Sequence, residues 1–196
     1  HIAKGGRLLA WFGPSVIPGV EPVISASLRA VAEAVLPHDD WLLVIKSKGS
    51  DCYTEHYELV MAAPGISDLE RRGRLLMVPY TEPLVEACPA GWLIAKMDGG
   101  VGTGSIQQEG LTQGKPVFSY CPVIQDTPYQ RMLKEARLAH DDPAGMASAL
   151  GDWLQDPDRL RIPYGWFREN FDPFGDDQAL TRIVDLLWGN GLESLM

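Results

Sequence analysis

The residues with the most chemical potential lie in one stretch, Lys96 to Tyr120, which reads KMDGGVGTGSIQQEGLTQGKPVFSY. Glycines stand at 99, 100, 102 and 104. Ser105 follows where a helix N-cap belongs, Ile106 to Gln113 reads as a short helix, and Gly114 closes it. Glycines let a backbone approach a ligand closely, and the first N–H groups of a helix are free donors at a positive dipole end. That combination suits a phosphate. Gly102, Thr103, Gly104 and Ser105 are therefore candidate binding residues, with Gln107 and Glu109 on the helix behind them. Asp98 is the acid just before the loop, able either to cap glycine N–H groups or to meet a ligand.

Elements must hold this loop in place. The apolar run Trp92-Leu-Ile-Ala95 reads as a buried strand before it, and Pro116 to Tyr120 reads as the strand after it. Strand, glycine loop, helix and strand within about 30 residues form a βαβ unit. Two familiar glycine motifs fail on their residues. A Walker loop needs Lys-Ser/Thr after its last glycine, and Gly104 is followed directly by Ser105. The dinucleotide fingerprint needs a glycine in sixth place, where Ser105 or Gln107 stands instead. A tight turn into a buried helix is the plain alternative.

The run Gly104-Ser-Ile-Gln107-Gln-Glu109, followed by Gly114-Lys-Pro-Val117, resembles the nucleotide-sugar signature of GT-B glycosyltransferases. It is especially similar to the related non-hydrolysing UDP-GlcNAc 2-epimerases. Their run is a Gly-Gly pair, an apolar residue, Gln, two acidic residues and then Gly-Lys-Pro-Val. The resemblance implies that the glycine loop and helix start hold a diphosphate and that Glu109 binds the ribose hydroxyls. Gly104-Ser105 replace the Gly-Gly pair, and Gln108 replaces the first acid. Both departures bear more on the epimerase assignment than on the fold.

The chain has 196 residues, enough for one domain of ordinary size or one half of a two-domain enzyme. Hydrophobic residues make up 45% and charged residues 22%, a globular composition. A net charge of −9 argues against a broad nucleic-acid surface, so an anionic ligand must rely on local donors. Cys52, Cys88 and Cys121 are odd in number and lack metal spacing, so they read as thiols in a reducing, cytoplasmic compartment. No apolar run approaches a membrane span, and no signal peptide is visible. The chain begins at His1 rather than Met, which reads as an excised fragment or a tag residue.

In chain order, Arg7 to Gly13 reads as a first parallel strand, with Gly13 at its ligand edge either as a site residue or as a turn. A helix from Pro22 to Leu36 follows, then a strand Trp41 to Ile45 ending at Lys46-Ser-Lys48-Gly49. Strands without alternation of polarity imply a parallel sheet covered on both faces. Lys46 and Lys48 can neutralise a diphosphate or stand as solvated lysines at a strand end. The stretch up to Lys46 is similar to the "IKPHP" segment of surface-polysaccharide glycosyltransferases, without the His-Pro. Thr54 to Ala63 reads as a helix, Arg71-Arg-Gly-Arg74 as a solvated basic edge, Leu75 to Val78 as a strand and Thr81 to Cys88 as a helical turn or two. Later helices are expected from Asp126 or Thr127 to about Arg137, after Asp141-Asp-Pro, from Pro157 toward Asn170 with a break at Pro163, and from Gly175 to Trp188. Leu138-Ala-His140 reads as an edge strand. His56 and His140 have no catalytic partner by spacing. The run Asp176-Asp-Gln-Ala-Leu-Thr-Arg182-Ile-Val resembles the closing helix of bacterial capsule-type transferases.

The expected fold is α/β, a Rossmann-like doubly wound, mostly parallel sheet of five or six strands with helices on both faces and C-terminal helices. Residues 1–196 are expected to form a single nucleotide-sugar-binding domain. The resemblance implies the donor half of a metal-independent GT-B glycosyltransferase in bacterial surface or capsular polysaccharide synthesis. It implies a nucleotide-sugar donor as substrate, with no metal and no separate cofactor. A sugar or lipid-linked acceptor would be met through an N-terminal domain, with peripheral membrane association of the whole enzyme. The alternatives are a 2-epimerase-like isomerase and a non-catalytic nucleotide-binding module.

Overall fold

The computed structural model describes residues 5–14, 19–46, 53–78, 90–122 and 127–171. Lys48, Asp126, the turn at 81–88 and the closing helix at 175–188 lie outside them. The chain alternates strand and helix: β1 (Arg7–Phe12), α1 (Glu21–Val35), β2 (Trp41–Lys46), α2 (Tyr53–Ala62), α3 (Ile66–Arg71), β3 (Leu75–Val78), α4 (Ala90–Lys96) and β4 (Gly99–Val101). It continues with α5 (Ser105–Thr112), β5 (Val117–Tyr120), α6 (Pro128–Glu135), β6 (Ala139–His140), α7 (Pro143–Gln155) and α8 (Tyr164–Phe171). Six parallel strands line up as β3-β2-β1-β4-β5-β6. This is the Rossmann-like doubly wound sheet that the apolar runs imply.

β1 is buried along both faces, which is why its sequence does not alternate. One face sends Leu9, Trp11, Leu43, Ile45 and Phe118 into a core with α1 and α7. The other sends Leu8, Ala10, Phe12 and Val44 against Leu93, Ile94 and Met97 at α4. Each Leu, Ile, Val, Phe or Met among them contributes about 1.5–3 kcal/mol when fully buried.

Two expectations are corrected here. The run Trp92-Leu-Ile-Ala95 is helical, within α4, where Leu93 and Ile94 face the sheet and Trp92 is 51% exposed. The strand before the loop is Gly99-Gly-Val101 instead. Gly99 belongs to the packing, because a Cβ there would stand 2.4 Å from the Trp153 ring of α7. The basic stretch 71–74 is also only partly a solvated edge. Arg71 and Arg72 are exposed, but Arg74 is 6% exposed. It donates to the carbonyls of Val35 (2.7 Å), Leu36 (3.1 Å), Trp41 (3.1 Å) and His38, and to the Asp39 carboxylate (3.2 Å). No basic residue lies in the last turn of α1, so Arg74 brings the cation that the carbonyls at the end of this helix attract.

Polar termini fit the expected caps elsewhere. Thr127 accepts from Gln130 N–H at the start of α6, and Asp142 accepts from Gly145 N–H at the start of α7.

Candidate functional site

The strand order reverses between β1 and β4, so the C-terminal ends of these neighbours open a crevice at the topological switch point. A cavity of about 190 Å³ lies there, with Trp11, Val23, Val101, Gly102, Thr103 and Ser119 among its lining residues. Two helix starts border this edge, and they differ. At α1, the Glu21 carboxylate accepts from Gly19 N–H at 2.8 Å and supplies negative charge to its own helix start. At α5 no acidic residue lies in the first turn. The anion-favouring position is therefore at α5.

The loop geometry makes that position concrete. Gly102 donates to the Phe118 carbonyl (2.9 Å), continuing the sheet by one step. Gln107 and Gln108 N–H groups donate to the Gly104 carbonyl at 3.1 and 3.2 Å, closing the first turn. The N–H groups of Thr103, Gly104, Ser105 and Ile106 have no acceptor among the described residues. The helix cap is Gly104 rather than Ser105, and no side chain caps this end. Gly104 has φ 64° and ψ −132°, a conformation suited to glycine, and a Cβ there would meet nothing within 4 Å. Thr103, Gly104 and Ser105 are exposed. Unsatisfied donors in open space at a helix start are what a phosphate needs.

The remaining expected residues divide. Glu109 is exposed one turn into α5, and its Oε1 lies 3.3 Å from where a Cβ on Gly91, at the start of α4, would sit. Helical side chains lean toward the N-terminus, which directs this carboxylate to the ligand edge. Lys46 ends β2, and its carbonyl accepts from Gly13 N–H at 3.0 Å. Gly13 thus spends its donor on the sheet. Lys46 lies two strands from β4, about 10 Å at ordinary strand spacing, on the same edge as the loop. Gln107 is placed differently from the sequence-based expectation. It is 2% exposed, and its amide is bonded inside the protein to Val117, Ser119 and Tyr129. Asp98 is likewise withdrawn, accepting from Leu8 N–H (2.7 Å) at the opposite edge of the sheet. Among the described residues, no cluster of three His, Cys, Asp or Glu side chains could hold a metal ion.

No family model and no curated protein matches the sequence. Solved structures do share its fold. A UDP-GlcNAc 2-epimerase from Neisseria meningitidis, bound to UDP-GlcNAc, superposes with a TM-score of 0.57 at 16% identity, over 95% of this chain and 46% of that one. The UDP complex of MnaA from S. aureus gives 0.57 at 18% identity, over 96% of this chain and 47% of that one. The C-terminal domain of a group 1 glycosyl transferase (LpcC) from Francisella tularensis gives 0.55 at 12% identity, over 88% of this chain and 90% of that one. The chain thus has the α/β fold shared by GT-B glycosyltransferases and UDP-GlcNAc 2-epimerases. It spans about half the length of the Neisseria and S. aureus chains and nearly all of the isolated C-terminal domain.

Proposed function

We propose that this chain is the nucleotide-sugar-binding half of a GT-B glycosyltransferase, acting in the cytoplasm on bacterial surface polysaccharide. The observation that carries the reading is the run of four unsatisfied N–H groups from Thr103 to Ile106, set at the switch point beside an exposed glutamate. The diphosphate would accept from these donors, Glu109 would accept from the ribose hydroxyls, and Lys46 would add positive charge to the leaving diphosphate. Preorganised donors aimed at a leaving group that gains charge lower the barrier without reorganising. The acceptor site and the proton-accepting base would come from a second, N-terminal half.

A 2-epimerase-like isomerase is the second reading, favoured by the run Gly104 to Glu109 followed by Gly114-Lys-Pro-Val117 and by the likeness to the Neisseria 2-epimerase fold. Product identity in the two-domain protein separates the two. Titration calorimetry of the chain with UDP, CDP, GDP and their nucleosides tests what they share. One diphosphate should bind at least about tenfold tighter than its nucleoside, since charge-assisted hydrogen bonds contribute about 1.5–3 kcal/mol each. Equal affinity for nucleotide and nucleoside would remove the phosphate site.

A further inference from the structure

Gln107 is the third residue of the helix whose first turn carries the free donors, yet it points inward. Its Nε2 donates to the Val117 carbonyl (2.9 Å) and to Ser119 Oγ (3.2 Å), both on β5. A carbonyl can only accept, so this orientation of the amide is fixed by chemistry. Oε1 is left for the Tyr129 hydroxyl of α6, which donates at 3.3 Å. Burial pushes Tyr129 up to about 12, so the hydroxyl stays a donor across the physiological range. Ser119 in turn donates to the Leu138 carbonyl at 3.4 Å, just before β6. One side chain thus ties the start of α5 to β5, to α6 and, through Ser119, to the approach to β6.

The same helix is held at its other end. Arg168 Nε of α8 donates to the Thr112 carbonyl at 3.1 Å. Phe167 and Phe171 of α8 pack edge-on against the Tyr129 ring at centroid distances of 6.2 and 5.2 Å. The loop itself, Thr103 to Ser105, is exposed and has no side-chain cap. Its orientation therefore depends on what grips the turn immediately behind it.

We infer that Gln107 is the positioning residue of the phosphate site, fixing the direction of the N–H groups at 103–106 without touching the ligand. The inference rests on the nucleotide-binding reading above. It predicts a defect confined to phosphate. In Gln107→Met, which keeps length but no polar atom, UDP should bind at least about tenfold weaker while uridine changes less than about twofold. Tyr129→Phe, which removes one hydroxyl and keeps the ring packing, should shift the same ratio by a smaller factor.

Gln107→Glu gives a signature that loss of stability alone would not. Protonated, a glutamic acid restores one of the two donations, to the Val117 carbonyl, and keeps an acceptor for Tyr129; ionised, it has no donor and sets an oxygen against the Val117 carbonyl. The variant-to-wild-type ratio of UDP affinity should then recover in part at pH 5 relative to pH 7.5. Tyr129 hydrogen-bonds to residue 107. The elements packed about them also carry Lys96 on α4, Glu109 on α5, Tyr120 on β5, Arg131, Lys134 and Glu135 on α6, and Tyr164, Arg168 and Glu169 on α8, and the wild type measured at both pH values carries their contribution.

Calorimetry of the three variants and wild type with UDP and uridine decides the matter. Selective loss of UDP with acid recovery in Gln107→Glu supports the positioning role. An unchanged UDP to uridine ratio in folded Gln107→Met, while wild type prefers UDP, overturns it and leaves the binding reading standing. Equal weakening of both ligands also overturns it, as a general structural effect. A wild type that does not prefer UDP over uridine removes both readings at once.

Discussion

Glu109, one turn into α5, faces Gly91 at the start of α4, the carboxylate oxygen standing 3.3 Å from the place a Cβ on Gly91 would take. Glycine at 91 leaves the carboxylate room at the ligand edge. If that room serves a ribose, Glu109→Gln should lower UDP affinity by about 1–3 kcal/mol, a few-fold to about a hundredfold. The 2′-deoxy nucleotide should lose a similar amount against wild type and little more against the variant, because a shared contact is lost only once. Calorimetry of the four combinations measures this. Full additivity would return Glu109 to being a solvated helix residue.

Gly104 should tolerate no side chain that is branched at Cβ. Its φ of 64° with ψ −132° is a glycine conformation, although nothing crowds it. Gly104→Val is expected to cost about 1–3 kcal/mol of backbone strain, or to relax by turning the loop donors away. Reduced UDP affinity in a folded variant, seen by calorimetry and circular dichroism together, is the expected result.

Gly99 supplies the contrasting case. A Cβ there would meet the Trp153 ring at 2.4 Å, so Gly99→Ala should lower stability by about 1–3 kcal/mol through overpacking. Nucleotide affinity should hold well below the melting temperature. Denaturant unfolding and ligand titration of the same sample check both halves.

Arg74 should be expensive to remove. Arg74→Met takes the guanidinium donor from the Val35, Leu36, His38 and Trp41 carbonyls; Val35 and His38 keep the N–H groups of His38 and Trp41, and each buried acceptor left unpaired costs about 1–3 kcal/mol if water does not reach it. Burial lowers its pKa, and the partner carboxylate of Asp39 opposes that shift. Loss of several kcal/mol in urea unfolding is expected, about what a helix end and a strand start lose together.

Stability should also fall in strong alkali. Tyr129 and Tyr164 are each pushed up from 10.0 to about 12 by burial, so the folded state holds protons that the unfolded chain releases first. Their contribution is complete below pH 10 and declines as pH rises toward 12. Replacing both with Phe should flatten the slope of unfolding free energy against pH in that window. An unchanged slope would show that the rings are more solvated than their packing implies.

Much of this was legible in the sequence, for physical reasons that name their own limits. β1 and β2 are buried on both faces and therefore read as continuous apolar runs. Trp92 to Ala95 is just such a run, yet four apolar residues fit a buried helix as well as a strand. The true strand, Gly99-Gly-Val101, has almost no local strand preference, because its glycines answer to Trp153 and to the Ala10 carbonyl. That reason lies in distant residues. Gln107 did carry a signal: Gly110 and Leu111 follow three and four places later, so all three share the inward face of α5. Arg74 gave none, since its acceptors lie at Val35 to Trp41. The loop, by contrast, showed itself through composition alone.

The bond from Arg168 to Thr112 spans 56 positions of sequence. A ribosome has thus delivered the whole glycine loop long before it delivers the residue that braces the far end of its helix. Ligand binding by a growing or truncated chain should therefore switch on late, with the emergence of α8, rather than with the emergence of the loop that does the binding.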